Sequence, residues 1–187
     1  MSIAGHHNAI NATGAVAVLV SMGYPVQDAA AALSEFGGTG RRFELHGEHR
    51  GVRVFDDYAH HPREVRAALA TARSVVGAGR VIAIHQPHLF TRTRDMAGEF
   101  AAEYEKGADF TVVLDVYGAR EDPIPGVTGE LVSAAFVDHD RVAYCPNWSD
   151  AALVAAEYAR AGDIIMTLSC GDVYRIIPQV FSALDAS

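Results

Sequence analysis

From residue 63 onward, short apolar strand segments alternate with longer helical segments. Strands are predicted at residues 80–85, 110–114, 141–144 and 163–168, and helices at residues 63–76, 94–106, 130–137, 149–160 and 172–184. Such alternation is typical of a parallel sheet with helices on both faces. Uninterrupted apolar runs such as Val81-Ile82-Ala83-Ile84 are expected where both faces of a strand are covered. We therefore predict an α/β fold with a Rossmann-like, mostly parallel sheet.

A β-hairpin is predicted to open this sheet. Residues 42–46 and 52–57 have the composition of strands, and residues 47–51 between them begin and end with glycine. Strand segments separated by a short turn-forming segment are typical of antiparallel hairpins.

A helical hairpin is predicted to precede the sheet. Residues 8–22 and 25–36 are rich in small apolar side chains and lack strand alternation. The Gly37-Gly38-Thr39-Gly40 run then interrupts the pattern. We expect a domain boundary near Gly40, which divides the chain into residues 1–40 and 41–187.

Composition excludes some classes of function. The net charge of −8 and the lack of a basic run argue against general binding to nucleic acid or membrane surfaces. Lys106 is the only lysine among fifteen basic residues, and the arginines suit carboxylate and phosphate ligands. Cys145 and Cys170 lack metal-binding spacing, and no signal peptide or membrane-spanning run is visible, so we expect a cytoplasmic protein.

Known phosphate-binding loops are absent from the sequence. No G-x-x-x-x-G-K-[ST] motif occurs, because the single lysine lies at the end of a predicted helix. No G-x-G-x-x-G follows a predicted strand either, which argues against a dinucleotide fold of the usual kind.

Two polar segments follow predicted strands. The first is Asp56-Asp57-Tyr58-Ala59-His60-His61-Pro62, and the second is residues 85–95. Ligands of open α/β sheets bind beyond the carboxyl ends of the strands, so these segments predict a binding crevice. Pro62 suits the first turn of a helix, where the preceding histidines would flank an N-terminus that favours anions.

Several of these side chains also have structural interpretations. Asp56 and Asp57 face opposite sides of a strand, and either can cap the following turn. Arg92 and Arg94 near a helix start indicate an anionic ligand, or a solvated pair bonded to neighbouring acidic residues, Asp95 or Glu99.

Three further features leave similar alternatives open. Arg41-Arg42 predicts a phosphate clamp or an interdomain ion pair. Asp172 is expected to be a helix N-cap. The spacing of His85 and His88, with His60 and His61, permits a zinc site, but zinc needs three or four converging ligands, and we predict no metal ligand here.

Six motifs together resemble the Mur ligase family of bacterial peptidoglycan synthesis. They span residues 5–12, 38–44, 56–62, 86–95, 115–117 with 123–126, and 171–173. The resemblance covers essentially the whole chain and is greatest to members that join L-alanine to UDP-N-acetylmuramate. It implies that residues 1–40 are the last helices of a central ATP-binding domain and that residues 41–187 are a complete C-terminal domain.

The resemblance also implies ATP-dependent amide formation. The muramate carboxylate is phosphorylated, and the amine of L-alanine then displaces phosphate from the acyl phosphate. The implied partners are ATP, L-alanine and UDP-N-acetylmuramate, with Mg²⁺ ligands expected in the rest of the central domain. The fragment by itself is expected to be inactive.

Site residues are implied by resemblance as well. Contacts to ATP are implied for Asn8 and Asn11 at the adenine, Arg42 at the phosphates and Asp57 at the ribose. An amino-acid pocket is implied for Tyr58, His60, His88 and Arg92, with catalytic roles for Arg42, His60 and His88. Family members often carry arginine at position 89, whereas this chain has Leu89, which leaves Arg92 to hold the alanine carboxylate.

Three other functions remain open at this point. A ligase that recycles murein tripeptide shares several motifs, but is expected to have phenylalanine in place of Tyr58 and to lack the Thr-Arg-Thr-Arg run. A metal-dependent hydrolase could use the histidines. A stand-alone binding domain that closes on a partner ATPase would explain the missing phosphate loop.

Overall fold

A six-stranded sheet forms the centre of the protein. The computed structural model describes residues 4–186, so the outermost residues of the two predicted units, 1–3 and 187, lie outside it. The strands are β1 (Glu44–His49), β2 (Val52–Asp57), β3 (Val81–His85), β4 (Phe110–Val113), β5 (Val142–Tyr144) and β6 (Ile164–Leu168). Their spatial order is β1-β2-β6-β3-β4-β5, with β1–β2 antiparallel and the other pairs parallel. The predicted sheet and its opening hairpin are confirmed.

Helices cover both faces of the sheet. These are α3 (Pro62–Val76), α4 (Phe90–Gly107), α5 (Glu130–Ala134), α6 (Trp148–Tyr158) and α7 (Ile177–Ala186), while α1 (His6–Ser21) and α2 (Val26–Glu35) precede the sheet in the chain. Met166 of β6 packs in the core with α3 and α4, whereas the neighbouring Ile165 packs in the core with α6 and α7. Both faces of the strand are therefore buried, which explains the continuous apolar runs.

Helices α1 and α2 pack against each other as the predicted helical hairpin. The link of residues 36–43 that follows contains no helix or strand. Among the described residues, no helix has the length and apolar character needed to cross a bilayer. The division of the chain at Gly40 stays a prediction.

The opening hairpin differs from the predicted one at its turn. Strand β1 continues to His49, and the pairing shifts between Leu45 and Gly47, so Gly47 belongs to a β-bulge rather than to the turn. The connection consists of Arg50 and Gly51 alone, with φ of 51° and 78°. Two successive residues at positive φ are what the tightest hairpin turns require.

Three helices also differ from the predicted ones, and the shortest of them, α5, ends at Ala134 rather than at residue 137. Helix α4 begins at Phe90, four residues before the predicted start at Arg94. The predicted helix over 172–184 is a 3₁₀ turn, Val173–Ile176, followed by α7. Pro178 lacks an N–H group and cannot continue the ladder of hydrogen bonds from the preceding turn, which accounts for the break.

Candidate functional site

The two polar segments meet at the carboxyl edge of the sheet. Asp57 pairs in register with Leu168, and Leu168 pairs with His85 on its other side. Because these strand ends are level, the segments beginning at Tyr58 and Gln86 leave the sheet close to each other. The structure therefore brings together side chains that are about thirty positions apart in sequence.

The first segment turns directly into a helix. His61 is the N-cap residue of α3 and Pro62 is its first residue, as the sequence predicts. His60 contacts Glu64 Oε2 through both its backbone N–H, at 2.9 Å, and its Nδ1 atom, at 3.1 Å. These contacts hold the His60 ring beside the N-terminus of α3.

The residues predicted to bind the amino acid form one cluster. The ring centroids of Tyr58 and His60 are 5.5 Å apart, and those of His60 and His88 are 6.1 Å apart. Arg92 Nη1 donates to the backbone oxygens of His60 and His88 over 3.3 and 3.4 Å. All four predicted residues thus lie together, although binding of an amino acid stays a prediction.

Most of the donors of Arg92 are available for a ligand. The contacts of Nη1 are long, and in the described part of the chain neither Nε nor Nη2 forms a hydrogen bond. A guanidinium with unpaired donors suits a carboxylate, which it can bind through two parallel hydrogen bonds. Arg94, by contrast, is exposed and paired with Asp95 at 2.7 Å, so the structural alternative holds for Arg94.

The surroundings of His88 favour its neutral form. Burial lowers its pKa below the ordinary value of 6.5, and the positive charge of Arg92 lowers this pKa further. A neutral imidazole can accept a proton from a bound ammonium group.

The adjacent arginines Arg41 and Arg42 have different environments. Arg41 Nε pairs with Asp56 Oδ2 at 2.8 Å, and its other nitrogens donate to the backbone oxygens of Ser169 and Gly171. Arg41 therefore serves neither as a phosphate clamp nor as an interdomain ion pair. The guanidinium of Arg42 instead lies 5.3 Å from the centre of the Tyr58 ring and has no hydrogen bond within residues 4–186.

Asp57 supports the backbone around the site. Its Oδ2 accepts a hydrogen bond from Phe43 N and its Oδ1 accepts one from Ala59 N, both at 2.8 Å. Burial raises its pKa, while these hydrogen bonds oppose that rise. The structural interpretation of a turn-capping aspartate therefore applies to Asp57, and its proposed contact to ribose remains untested.

Asn8 and Asn11 line a cavity between the helical hairpin and the link. The cavity has a volume of about 540 Å³ and also contacts Leu33, Phe36 and Arg42. Asn8 Nδ2 donates to the backbone oxygen of Ala4 at 2.7 Å, whereas the Asn11 side chain has no hydrogen bond within the described residues. The cavity combines apolar walls with amide groups, a lining suited to a heterocyclic base.

His85 lies apart from the other histidines. It is fully buried, with Nδ1 2.8 Å from the Tyr104 hydroxyl and Nε2 without a partner among the described residues. One of its two ring nitrogens therefore has a hydrogen-bond partner and the other has none within residues 4–186. Burial lowers its pKa to about 3. Within residues 4–186, no three His, Cys, Asp or Glu side chains are arranged to hold a metal ion.

Three contacts of the site are not predicted by the sequence. The Tyr117 ring stacks on His88 with centroids 5.7 Å apart, and Glu121 binds the first turn of α4. Asp172 precedes the 3₁₀ turn but accepts from Gln86 Nε2 at 2.9 Å and makes no capping bond. Tyr117, Gln86 and Asp172 lie in motifs of the family resemblance, whereas Glu121 lies in none of them.

Comparisons with known proteins agree with this resemblance. Residues 41–171 match the family model described as Mur ligase, glutamate ligase domain. A UDP-N-acetylmuramate--L-alanine ligase of Clavibacter michiganensis is 67% identical over 99% of this chain, and one of Paenarthrobacter aurescens is 50% identical over 98%. The chain spans 39% of the length of each of these relatives.

Solved structures show the same fold. A UDP-N-acetylmuramate-alanine ligase of Thermotoga maritima matches 98% of this chain, and 39% of its own, with a TM-score of 0.75 and 24% identity. A murein peptide ligase of Psychrobacter arcticus matches 98% of this chain, and 38% of its own, with a TM-score of 0.68 and 29% identity. On the extent of the family match and the identity to these relatives, the chain belongs to the Mur ligase family.

Proposed function

We propose that this chain forms the amino-acid-binding part of an ATP-dependent ligase that joins L-alanine to UDP-N-acetylmuramate. The observation that carries the proposal is the arrangement around Tyr58. The Arg42 guanidinium lies 5.3 Å from the centre of this ring. The His60 ring is nearly perpendicular to it, with ring centres 5.5 Å apart. A cation suited to phosphate is therefore next to the cluster suited to an amino acid. The names of the relatives supply the substrates.

On the amino-acid side, Arg92 binds the carboxylate of L-alanine. The amine arrives as an ammonium ion and must lose a proton before it can attack an acyl phosphate. His88, kept neutral by burial and by Arg92, takes up that proton, and His60 orients the amine. Leu89 is buried and carries no charge, so we assign the positive charge for the carboxylate to Arg92.

On the nucleotide side, the cavity beside Asn8 and Asn11 accepts the adenine, and Asp57 approaches the ribose. ATP supplies the phosphoryl group that activates the muramate carboxylate. Arg42 stabilises the negative charge that develops during this transfer. Mg²⁺ accompanies ATP, and we assign its protein ligands to the rest of the central ATP-binding domain that the family resemblance implies.

Closure about the link brings the two sides together. Gly38, Arg41 and Phe43 in the link have φ of 103°, 59° and 48°, so its path depends on unusual backbone conformations. A rotation there would carry the amino-acid cluster, which lies in residues 58–92, toward the bound nucleotide. Closure would exclude water from the acyl phosphate and thereby prevent its hydrolysis.

A coupled assay tests the proposal. ATP turnover and amide formation are measured with UDP-N-acetylmuramate and L-alanine, on this chain alone and on the chain joined to the upstream sequence from its own gene. We expect activity in the extended protein only. Inactivity of both would contradict the ligase proposal and favour a stand-alone binding domain.

A recycling ligase is the second candidate, because the murein peptide ligase of Psychrobacter arcticus shares the fold. The same assay with murein tripeptide in place of L-alanine separates the two. Turnover with the tripeptide but not with alanine would favour recycling.

A further inference from the structure

Helix α4, which carries Arg92, has no capping side chain of its own. Its N-cap residue is Leu89, which makes no side-chain hydrogen bond to the helix and has a φ of 73°. A left-handed backbone is unfavourable for a branched side chain, and the first N–H groups of any helix need partners. The start of α4 therefore depends on groups from elsewhere in the fold.

Glu121 supplies the missing cap from a separate loop. Its Oε2 accepts a hydrogen bond from Thr91 N at 2.9 Å, and its Oε1 accepts one from the Thr91 hydroxyl at 2.5 Å. These bonds lower the pKa of Glu121 and so favour its ionised form. A carboxylate at a helix N-terminus is also stabilised by the helix dipole.

The loop that carries Glu121 also holds the turn before the helix. Leu89 N donates to the Tyr117 backbone oxygen at 3.0 Å, and Tyr117 N donates to the Pro87 oxygen at 2.8 Å. The loop is close-packed here, since a Cβ atom at Gly118 would lie 2.7 Å from the Phe90 ring. The turn that presents His88 and the helix that presents Arg92 thus share one support.

We propose that Glu121 is a positioning residue for the amino-acid site, acting through Thr91 on Arg92 and His88. This inference rests on the proposed function above. Arg92 directly follows Thr91. The hydrogen bonds of its own side chain are long, at 3.3 to 3.5 Å, and therefore weak. The position of the guanidinium therefore depends mainly on the position of the first turn of α4. Glu121 fixes that turn through its two hydrogen bonds to Thr91.

The test compares two glutamates at opposite ends of α4, Glu121 in the loop beside its first turn and Glu105 in its last turn. Glu105 accepts hydrogen bonds from Val137 N and Asp138 N at 2.8 and 2.9 Å, so it also holds backbone N–H groups. It lies about 21 Å along the helix from Thr91, at 1.5 Å per residue, and makes no contact with the site.

Glu121→Ala, Glu121→Gln and Glu105→Ala are made in the chain extended to full length. KM for L-alanine, KM for ATP and thermal unfolding are measured for each.

We expect Glu121→Ala to raise KM for L-alanine about tenfold, with KM for ATP changed less than about twofold. Glu121→Gln should recover part of this loss, because an amide oxygen can still accept from Thr91. Glu105→Ala should lower the unfolding temperature by about as much as Glu121→Ala does, while leaving both KM values unchanged.

Two results would overturn the inference. One is an unchanged KM for L-alanine in Glu121→Ala. The other is a change without specificity, meaning that KM for ATP changes as much as KM for L-alanine or that Glu105→Ala changes KM for L-alanine equally. If the unchanged protein has no alanine-dependent turnover, the proposed function itself fails, and the inference fails with it. Turnover in the unchanged protein therefore distinguishes the two failures.

Discussion

Arg41 Nε lies 2.8 Å from Asp56 Oδ2 in an ion pair whose carboxylate is fully buried. The second carboxylate oxygen of Asp56 accepts a hydrogen bond from Thr167 Oγ1 at 2.6 Å. The guanidinium lies between the rings of Tyr58 and Tyr174, at 5.1 and 4.6 Å from their centres. This pair joins the end of the link to β2 and β6 beneath the candidate site.

Removal of Arg41 should destabilise the fold strongly. Arg41→Ala leaves the Asp56 carboxylate buried without its cation, and breaking a buried pair in this way costs about 3–5 kcal/mol. Urea denaturation of the chain measures the change in the free energy of unfolding. Arg94→Ala is the control, because its partner Asp95 is exposed, and it should cause no measurable loss. Equal losses in the two variants would contradict the prediction.

The stability of the chain should fall as pH decreases because of His85. Burial lowers its pKa in the folded state to about 3, against an ordinary value of 6.5. Below pH 6.5 the unfolded chain binds a proton at this residue that the folded chain does not bind. The free energy of unfolding should therefore decrease by up to about 1.4 kcal/mol per pH unit between pH 6.5 and 3.

Replacement of His85 isolates this contribution. In His85→Gln, the slope of the unfolding free energy against pH between 6 and 4 should be shallower by about one proton equivalent. An identical slope in His85→Gln and the unchanged chain would show that His85 does not cause the effect.

Loss of Arg92 should weaken binding of the amino acid. Arg92→Ala removes the guanidinium proposed to bind the carboxylate of L-alanine, so KM for L-alanine should rise about tenfold to a hundredfold. Steady-state kinetics of the extended protein provide the measurement. Arg94→Ala is a control from the same helix turn and should leave this KM unaltered. The assignment of Arg92 is wrong if the two variants behave alike.

Loss of Arg42 should lower kcat rather than raise KM for L-alanine. Arg42→Ala removes a positive charge from the phosphoryl group in transfer, which should lower kcat about a hundredfold and leave KM for L-alanine nearly unchanged. Arg50→Ala, in the hairpin turn at the opposite end of β2, serves as the control. A rise in KM for L-alanine without a fall in kcat would place Arg42 at the amino acid rather than at the phosphates.

The charge of Arg92 should be detectable in the titration of His88. Burial is the first cause that lowers the pKa of His88 and the Arg92 charge is the second, so Arg92→Gln should raise this pKa toward 6.5. NMR titration of the His88 ring signals in this chain gives the value directly. Arg94→Gln is expected to leave it in place. A pKa that stays constant or falls in Arg92→Gln would exclude the coupling.

The first residue of a helix can be predicted from the local sequence for α3 but not for α4. His61 and Pro62 mark the beginning of α3 in the sequence itself, because a proline at the first helical position needs no partner for an N–H group. The beginning of α4 at Phe90 has no such local mark. Its cap is Glu121, which is thirty positions later in the chain.

The arginine pair shows the same contrast within the site. Arg41 and Arg42 are equivalent in sequence, and both suit a phosphate. In the structure Arg41 is held by Asp56 and by backbone oxygens up to 130 positions away, whereas Arg42 keeps its donors. The sequence therefore indicates a phosphate clamp, but the pairing of Arg41 in the tertiary structure decides that Arg42 is the residue with available donors.

The α/β class, the order of helices and strands and the polar strand ends all follow from local patterns of hydrophobicity and from short motifs. These properties depend on side chains a few positions apart, which a linear sequence displays directly. The pairing of Arg41 with Asp56 and the capping of α4 by Glu121 depend on strand order and loop paths. Folding alone brings those distant groups within hydrogen-bond distance, so the tertiary structure decided which side chains support the site and which remain free to bind.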